Sequence, residues 1–121
     1  MAHGSRREEA NEEIRLMVKE IKKRNPEGYY QAAFMSYGIP GIHSAVENLV
    51  LRGINRVIVM PMFLVTGNHI TRDIPELIAG EQERYPQVEF LITRHFASHP
   101  ALVDIIMDRL SNPDNLKRIG Q

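Results

Sequence analysis

The chain contains no cysteine and no tryptophan among its 121 residues. Without cysteine the protein has no disulfide, no thiolate metal ligand and no cysteine nucleophile. The same absence is typical of proteins that work in a reducing compartment. Any metal chemistry must therefore depend on nitrogen and oxygen donors.

An excess of charge of either sign is also missing. Fifteen basic residues balance fifteen acidic ones, and the formal net charge is zero. A protein without a basic stripe or a strong net field is a poor ligand for nucleic acid or for an anionic membrane. We therefore expect neither of these partners, and an anionic ligand would have to be held by local arginines.

Long apolar runs are absent from the sequence. No stretch approaches the ~20 apolar residues that a membrane-spanning helix requires, and the first residues lack the apolar core of a secretory signal. We expect a cytoplasmic protein. The length is sufficient for one domain with a modest core.

Helical and strand-like segments alternate along the chain. Apolar residues recur at helical spacing in four segments, and three others are short, apolar and rich in β-branched residues. The predicted helices are residues 6–24, 42–51, 71–84 and 100–110, and the predicted strands are residues 29–35, 56–64 and 88–93. Such alternation is typical of an α/β fold with right-handed crossovers. We predict a three-layer sandwich with a mostly parallel, doubly wound sheet, forming a single domain over residues 1–111 with a tail at 112–121.

The start of the sequence is unusual for such a fold. Residues 2–5 read as a strand-to-helix turn, yet no strand stands before them. In doubly wound sheets the first strand is commonly internal. We therefore expect that the first strand is missing from this sequence or that another chain covers its place.

Histidines follow the predicted strands. Ligands of open α/β sheets bind beyond the carboxyl ends of the strands, and His3, His69 and His95 all lie at such ends. Neutral imidazole suits cobalt, nickel, iron and zinc. Because Gly4 and Gly67 allow a flat ligand to approach the backbone closely, they favour His3 and His69 as the functional pair.

Other polar residues near this edge have two interpretations each. Arg6 and Arg72 could hold carboxylates of a ligand, or they could be ordinary solvated arginines. Ser5 could cap the first helix or contact the ligand. Asp73 is expected to stabilise the start of its helix rather than to bind metal.

Two motifs carry a resemblance to a known family. They are His3-Gly4-Ser5-Arg6 at the start and Pro61-x-Phe63-Leu64-x-x-Gly67-x-His69-x-x-x-Asp73-Ile74-Pro75 in the middle of the chain. The first motif alone is weak, whereas the fifteen-residue second motif is specific. The sequence resembles, over nearly its whole length, the small class II tetrapyrrole chelatases of the CbiX type. This family includes sirohydrochlorin cobaltochelatases and nickelochelatases and is related to the ferrochelatases.

The resemblance implies a lyase that inserts a divalent metal ion into sirohydrochlorin during cobalamin or related tetrapyrrole synthesis. Cobalt is the expected ion, with nickel or iron as alternatives, and no tightly bound cofactor is expected. His3 and His69 would be both the catalytic residues and the metal ligands. The substrate-binding residues would be Ser5, Arg6, Gly67 and Arg72. The resemblance further implies a homodimer with the tetrapyrrole between the protomers.

The sequence departs from the family at the end of the second predicted strand. Many members carry a glutamate where this chain has Ser36, and a Glu-Pro-Ser where it has residues 39–41. A carboxylate proton acceptor is therefore absent there, and the identity of the base stays open. Two other interpretations remain: a non-enzymatic cobalt or nickel carrier, and a degenerate chelatase homologue or one that acts on another tetrapyrrole.

Overall fold

The computed structural model describes residues 1–97 and 99–120. Its helices and strands are α1 (Glu8–Arg24), α2 (Ile42–Leu51), β1 (Arg56–Val59), a π-helix (His69–Asp73), α3 (Ile74–Arg84), β2 (Glu89–Ile92), α4 (Pro100–Ser111) and a 3₁₀ turn (Pro113–Asn115). The order of these elements confirms the predicted α/β class. The predicted tail begins with the 3₁₀ turn, and its last residue, Gln121, lies outside the described residues.

The sheet is parallel and has its shortest segment in the middle. β1 and β2 pair in parallel, with Val57 opposite Phe90. On the other side, the Ala2 amide donates to the Ala33 carbonyl at 2.9 Å, and the Met62 amide donates to the Met1 carbonyl at 2.7 Å. Residues 1–3 therefore lie between residues 32–36 and the end of β1, which is the internal position expected for a first strand.

Two predicted strands are shorter in the structure than in the sequence pattern. Residues 29–35 form only isolated bridges, in which Phe34 pairs with Ala2 on one side and with Gly41 on the other. The third predicted strand, residues 56–64, ends at Val59. Pro61 follows closely, and proline has no amide hydrogen to donate to a ladder.

Two apolar clusters cover opposite faces of the sheet. Ala33 belongs to the cluster that includes buried residues of α2, β1 and α3, whereas its neighbour Phe34 packs against Ile14 and Val18 of α1. Successive residues of an extended chain point to opposite faces, so α1 lies on one face and α2 with α3 on the other. An apolar cavity of about 490 Å³, lined by residues of both faces, runs between them.

α4 differs from the other three α-helices because none of its residues is buried. Its large apolar side chains include Val103, Ile106 and Leu110, and each of them is more than half exposed. Within the described part of the chain, no helix combines the length and the apolar character needed to span a bilayer.

A buried amide joins α1 to two loops. Asn11 is only 1% exposed. Its side-chain oxygen accepts from the Ser5 amide at 2.8 Å, and its side-chain nitrogen donates to the Ser5 carbonyl at 2.8 Å and to the Tyr37 carbonyl at 3.1 Å. Asn11 therefore holds together the turn after residues 1–3 and the loop after residues 32–36.

The Glu8 carboxylate is a further acceptor for this amide, at 3.3 Å. The Arg15 guanidinium, and after it the Asn11 amide, hold the pKa of Glu8 below its usual value. Glu8 therefore stays ionised beside the turn, even in mildly acidic solution.

Replacing Asn11 by alanine should destabilise the fold by about 2–3 kcal/mol, because it leaves buried backbone groups without partners. Denaturant unfolding followed by circular dichroism measures this change. Asn48→Ala, at an exposed position of α2, is the matched control and should shift stability by no more than about 0.5 kcal/mol. Equal effects of the two substitutions would contradict the role assigned to Asn11.

Candidate active site

Two histidines meet at the carboxyl end of the sheet. His3 is the last residue of the segment 1–3, which lies in the middle of the sheet. His69 is the first residue of the π-helix, which comes after β1 in the chain. Their ring centroids are 4.8 Å apart with an interplanar angle of 64°. The two histidines singled out from the sequence, 66 positions apart along the chain (69 − 3), are therefore in contact.

Both rings are held by contacts on one nitrogen. His3 Nδ1 lies 3.1 Å from the carbonyl oxygen of Gly4, and His69 Nδ1 lies 3.1 Å from Asp73 Oδ2. Both of these oxygens can only accept a hydrogen bond. A neutral ring with its proton on Nδ1 can donate to the oxygen that it contacts, and it leaves the Nε2 lone pair free for a ligand.

An aromatic ring packs on His69. Phe63 stacks on it, with ring centroids 5.7 Å apart and planes 22° apart. The His69 side chain nevertheless stays 46% exposed, and His3 is half-buried. The histidine pair is thus packed against Phe63 and remains open to solvent.

Within residues 1–97 and 99–120, no three His, Cys, Asp or Glu side chains are grouped so that they could hold a metal ion. The candidate donors are therefore two imidazoles. His95 lies apart from them, with its Nε2 3.1 Å from Thr66 Oγ1. Two nitrogen donors leave most coordination positions of an ion open to water or to a second ligand.

The backbone around Gly4 explains why His3 is placed so closely against the next loop. Gly4 has φ +94°, and a Cβ atom there would lie 1.7 Å from the Ser36 carbonyl oxygen. The Ser36 amide donates to the His3 carbonyl at 2.8 Å. Only glycine fits this approach without a movement of the backbone.

The arginines predicted to hold a ligand lie on different segments of this edge. Arg6 follows the His3 turn, and its guanidinium lies 4.8 Å from the ring centroid of Tyr37 and 3.3 Å from the Tyr37 hydroxyl oxygen. Arg72 belongs to the π-helix and contacts Asp73 at 3.4 Å. Both side chains are exposed. The two arginines thus belong to the two segments that carry the histidines.

The remaining predicted ligand contacts have local roles in the structure. Ser5 Oγ accepts from the Arg7 amide at 3.0 Å, one residue before α1 begins. Gly67 is exposed, and a Cβ atom there would meet open space. Its carbonyl accepts from the Thr71 amide at 3.0 Å and from Thr71 Oγ1 at 3.1 Å.

The helix predicted from residue 71 begins two residues earlier, and Asp73 contributes no cap bond to it. The helical path already begins at His69 with a π-helical turn, and neither Asn68 nor Asp73 makes a side-chain cap bond. Thr71 lies inside this turn and donates back to the carbonyl four residues earlier, as threonines in helices often do. The Asp73 side chain contacts His69 instead.

Sequence reasoning missed two residues of this site. Phe63 was part of the motif without a role, although its position six residues before His69 was visible. Tyr37 gave no signal, yet it has φ 57°, is 58% exposed and supports Arg6. Strained backbone of this kind persists only where neighbouring contacts hold it, and here Asn11 binds the Tyr37 carbonyl.

With this geometry established, comparison with known proteins decides the family. The sequence profile of the CbiX family matches residues 1–112. The chain belongs to the CbiX family. The resemblance expected from the two motifs is confirmed.

CbiX relatives share sequence across most of the chain. A sirohydrochlorin cobaltochelatase of Methanocaldococcus jannaschii is 36% identical, in an alignment that covers 90% of this chain and 93% of the relative. The chloroplastic sirohydrochlorin ferrochelatase of Arabidopsis thaliana is 34% identical over 91% of this chain and 49% of its own length. The chain therefore spans about half the length of the plant relative and nearly all of the archaeal one.

A solved CbiX-like structure has the same fold. SirB from Bacillus subtilis subspecies spizizenii, a sirohydrochlorin chelatase in complex with cobalt, superposes with a TM-score of 0.86 at 26% identity, covering 93% of this chain and 48% of that protein. This match confirms the α/β chelatase-like fold.

Gly4→Ala should lower the free energy of unfolding by about 3 kcal/mol, because it adds both a positive-φ penalty and a clash with backbone. Gly53→Ala is the matched control, since Gly53 has φ +84° but open space around its Cβ position, and it should cost about 1–2 kcal/mol. Denaturant titration of the three proteins measures the difference. A Gly4 variant no less stable than the Gly53 variant would contradict the close packing of the His3 turn.

Proposed function

We propose that this protein is a sirohydrochlorin metal chelatase that inserts a divalent metal ion into the tetrapyrrole. The observation that carries the proposal is the contact between His3 and His69 at an open edge of the sheet, with ring centroids 4.8 Å apart. Membership of the CbiX family and the names of the relatives support the same reaction.

The spacing of the rings suits one ion bound by both of them. With metal–nitrogen bonds of about 2.1 Å, each ring centroid lies about 3.2 Å from the ion. Rings with centroids 4.8 Å apart are therefore close enough for one ion to be bound by both of them.

Metal insertion requires two proton losses and a ligand exchange. The two pyrrole N–H groups of the ring lose their protons while the ion exchanges its water and imidazole ligands for the four ring nitrogens. Neutral histidine can ligate the ion and can also accept a proton at neutral pH. We assign this shared role to His3 and His69, because Ser36 provides no carboxylate and the described site holds no third donor.

The edge of the ring would be held by the exposed cations of the two segments. Sirohydrochlorin carries many carboxylates, and a guanidinium binds a carboxylate through two parallel hydrogen bonds. Arg6, which contacts Tyr37, and Arg72, which contacts Asp73, belong to the two segments that carry the histidines. Ser5 and the open surface at Gly67 complete the proposed binding residues.

Cobalt is the metal that we propose first, with nickel or iron as alternatives. The relatives are named for both iron and cobalt, and two imidazoles do not discriminate strongly among these ions. We propose that no further cofactor is needed. The exposed apolar side chains of α4 support the proposal of a homodimer. The lack of cysteine supports the proposal of a reducing, cytoplasmic location.

His3→Ala and His69→Ala should each lower the rate of metal insertion at least about 100-fold while leaving the fold intact. The assay is an absorbance time course of sirohydrochlorin with cobalt, nickel or ferrous ion. His99→Asn is the matched control, because His99 only caps α4 through the Ala101 amide and asparagine is an equally good cap. It should keep full activity.

Normal turnover by either alanine variant would contradict the assignment of the pair. If the parent protein binds cobalt yet leaves the absorbance of the tetrapyrrole unchanged, the carrier function would replace the chelatase. If it binds neither, it is a degenerate homologue.

Arg6→Gln and Arg72→Gln should each raise the KM for sirohydrochlorin about two- to fivefold and leave kcat nearly unchanged, because an exposed ion pair contributes up to about 1 kcal/mol. Steady-state kinetics at two salt concentrations measures this, and added salt should reduce the difference from the parent. Arg24→Gln, at the far end of α1, is the control. Unchanged KM in both site variants would contradict a role for these arginines in binding.

A further inference from the structure

Asp73 is an acidic side chain that contacts the histidine pair, and it makes no cap bond that would account for its position. Its Oδ2 lies 3.1 Å from His69 Nδ1, and its side chain is 30% exposed. It makes no cap bond to the backbone of α3. The carboxylate therefore faces the imidazole rather than the start of its helix.

This contact determines which nitrogen of His69 carries a proton. If Nδ1 carried the lone pair, that lone pair would face a carboxylate at 3.1 Å, which is repulsive. Placing the proton on Nδ1 makes the contact attractive and leaves Nε2 as a lone-pair donor. Carboxylates commonly orient metal-binding histidines in this way, by accepting from the nitrogen that does not bind the metal.

Two further contacts restrict the rotation of the ring. Phe63 stacks on one side of His69, and the His3 ring meets it at 64°. The carboxylate is itself held, because Arg72 Nε lies 3.4 Å from Asp73 Oδ1. His3 has a backbone counterpart of the same arrangement, since its Nδ1 lies 3.1 Å from the Gly4 carbonyl oxygen.

We propose that Asp73 is a positioning residue that keeps His69 in the Nδ1–H form and thereby reserves Nε2 for the metal ion. This inference rests on the proposed function only in naming the ion as substrate. The Asp73 carboxylate does not bind the ion. The carboxylate keeps His69 Nε2 unprotonated before the ion binds, and the Gly4 carbonyl has the same effect on His3 Nε2.

The test begins with the protein free of metal and tetrapyrrole. Histidine labelled with ¹⁵N distinguishes the two neutral ring forms by nuclear magnetic resonance at about pH 8, above the usual pKa of histidine, and a His69→Gln variant identifies the His69 signals. The parent should show His69 as the Nδ1–H form. Asp73→Ala should give a mixture of both forms, and Asp73→Asn, whose amide oxygen can still accept, should restore part of the Nδ1–H form.

Cobalt affinity and kinetics give the second readout. Asp73→Ala should weaken cobalt binding 10- to 100-fold and lower kcat by a similar factor, with the KM for sirohydrochlorin unchanged. Glu76→Ala is the matched control, because it removes an exposed carboxylate from the first turn of α3 without touching His69. It should change neither quantity.

Three results would overturn the proposal: His69 in the Nε2–H form in the parent, cobalt affinity of Asp73→Ala within twofold of the parent, or equal losses in the Asp73 and Glu76 variants. The last would reduce Asp73 to a general helix-terminus charge. Because ring form and cobalt affinity are measured without the tetrapyrrole, they stand even if the protein fails to insert metal. In that case only the chelatase function is lost.

Discussion

The buried amide of Asn11 is the contact on which the active edge of this fold depends. It binds both backbone groups of Ser5 and the carbonyl of Tyr37, so one side chain on α1 joins two loops that have no regular secondary structure. The segment carrying His3 forms backbone hydrogen bonds to both neighbouring segments, and Asn11 adds support at its carboxyl end.

The two proposed metal ligands are supported in different ways. His3 lies on backbone that is hydrogen-bonded to both neighbouring segments, and its ring contact is to a carbonyl. His69 lies on an exposed turn, and its ring is placed by side chains, namely Phe63 and Asp73. This difference suits an ion that must be bound and then released. His3 stays fixed with the backbone, whereas His69 can move away from the ion without disturbing the sheet.

The sequence predicted the helices and the meeting of His3 with His69 better than the strands and the supporting residues. The bounds of α2 followed from its apolar spacing, and Gly53, which comes soon after the helix, has positive φ. The strand predicted at residues 29–35 is reduced to isolated bridges, because strand pairing depends on neighbouring segments that a local sequence pattern does not describe. Asn11 was overlooked, although it occupies the same stripe of α1 as Ile14 and Val18, at spacings of three and four. A polar residue in an apolar stripe predicts a buried partner, but the partner lay 26 residues away in a loop. Asp73 was expected only to stabilise the start of its helix, because the π-helical turn, which brings it beside His69, leaves no mark in the apolar periodicity.

The π-helical turn at His69–Asp73 also constrains how this site can change during evolution. A helix that continued in regular α form would need one residue fewer in this stretch. Loss of one residue between His69 and Asp73 would leave the two residues three positions apart instead of four, and it would disturb the contact between their side chains. Insertions and deletions, which surface loops usually tolerate, should thus be rare between Gly67 and Ile74, and substitutions should be the ordinary route by which such a site drifts towards another metal.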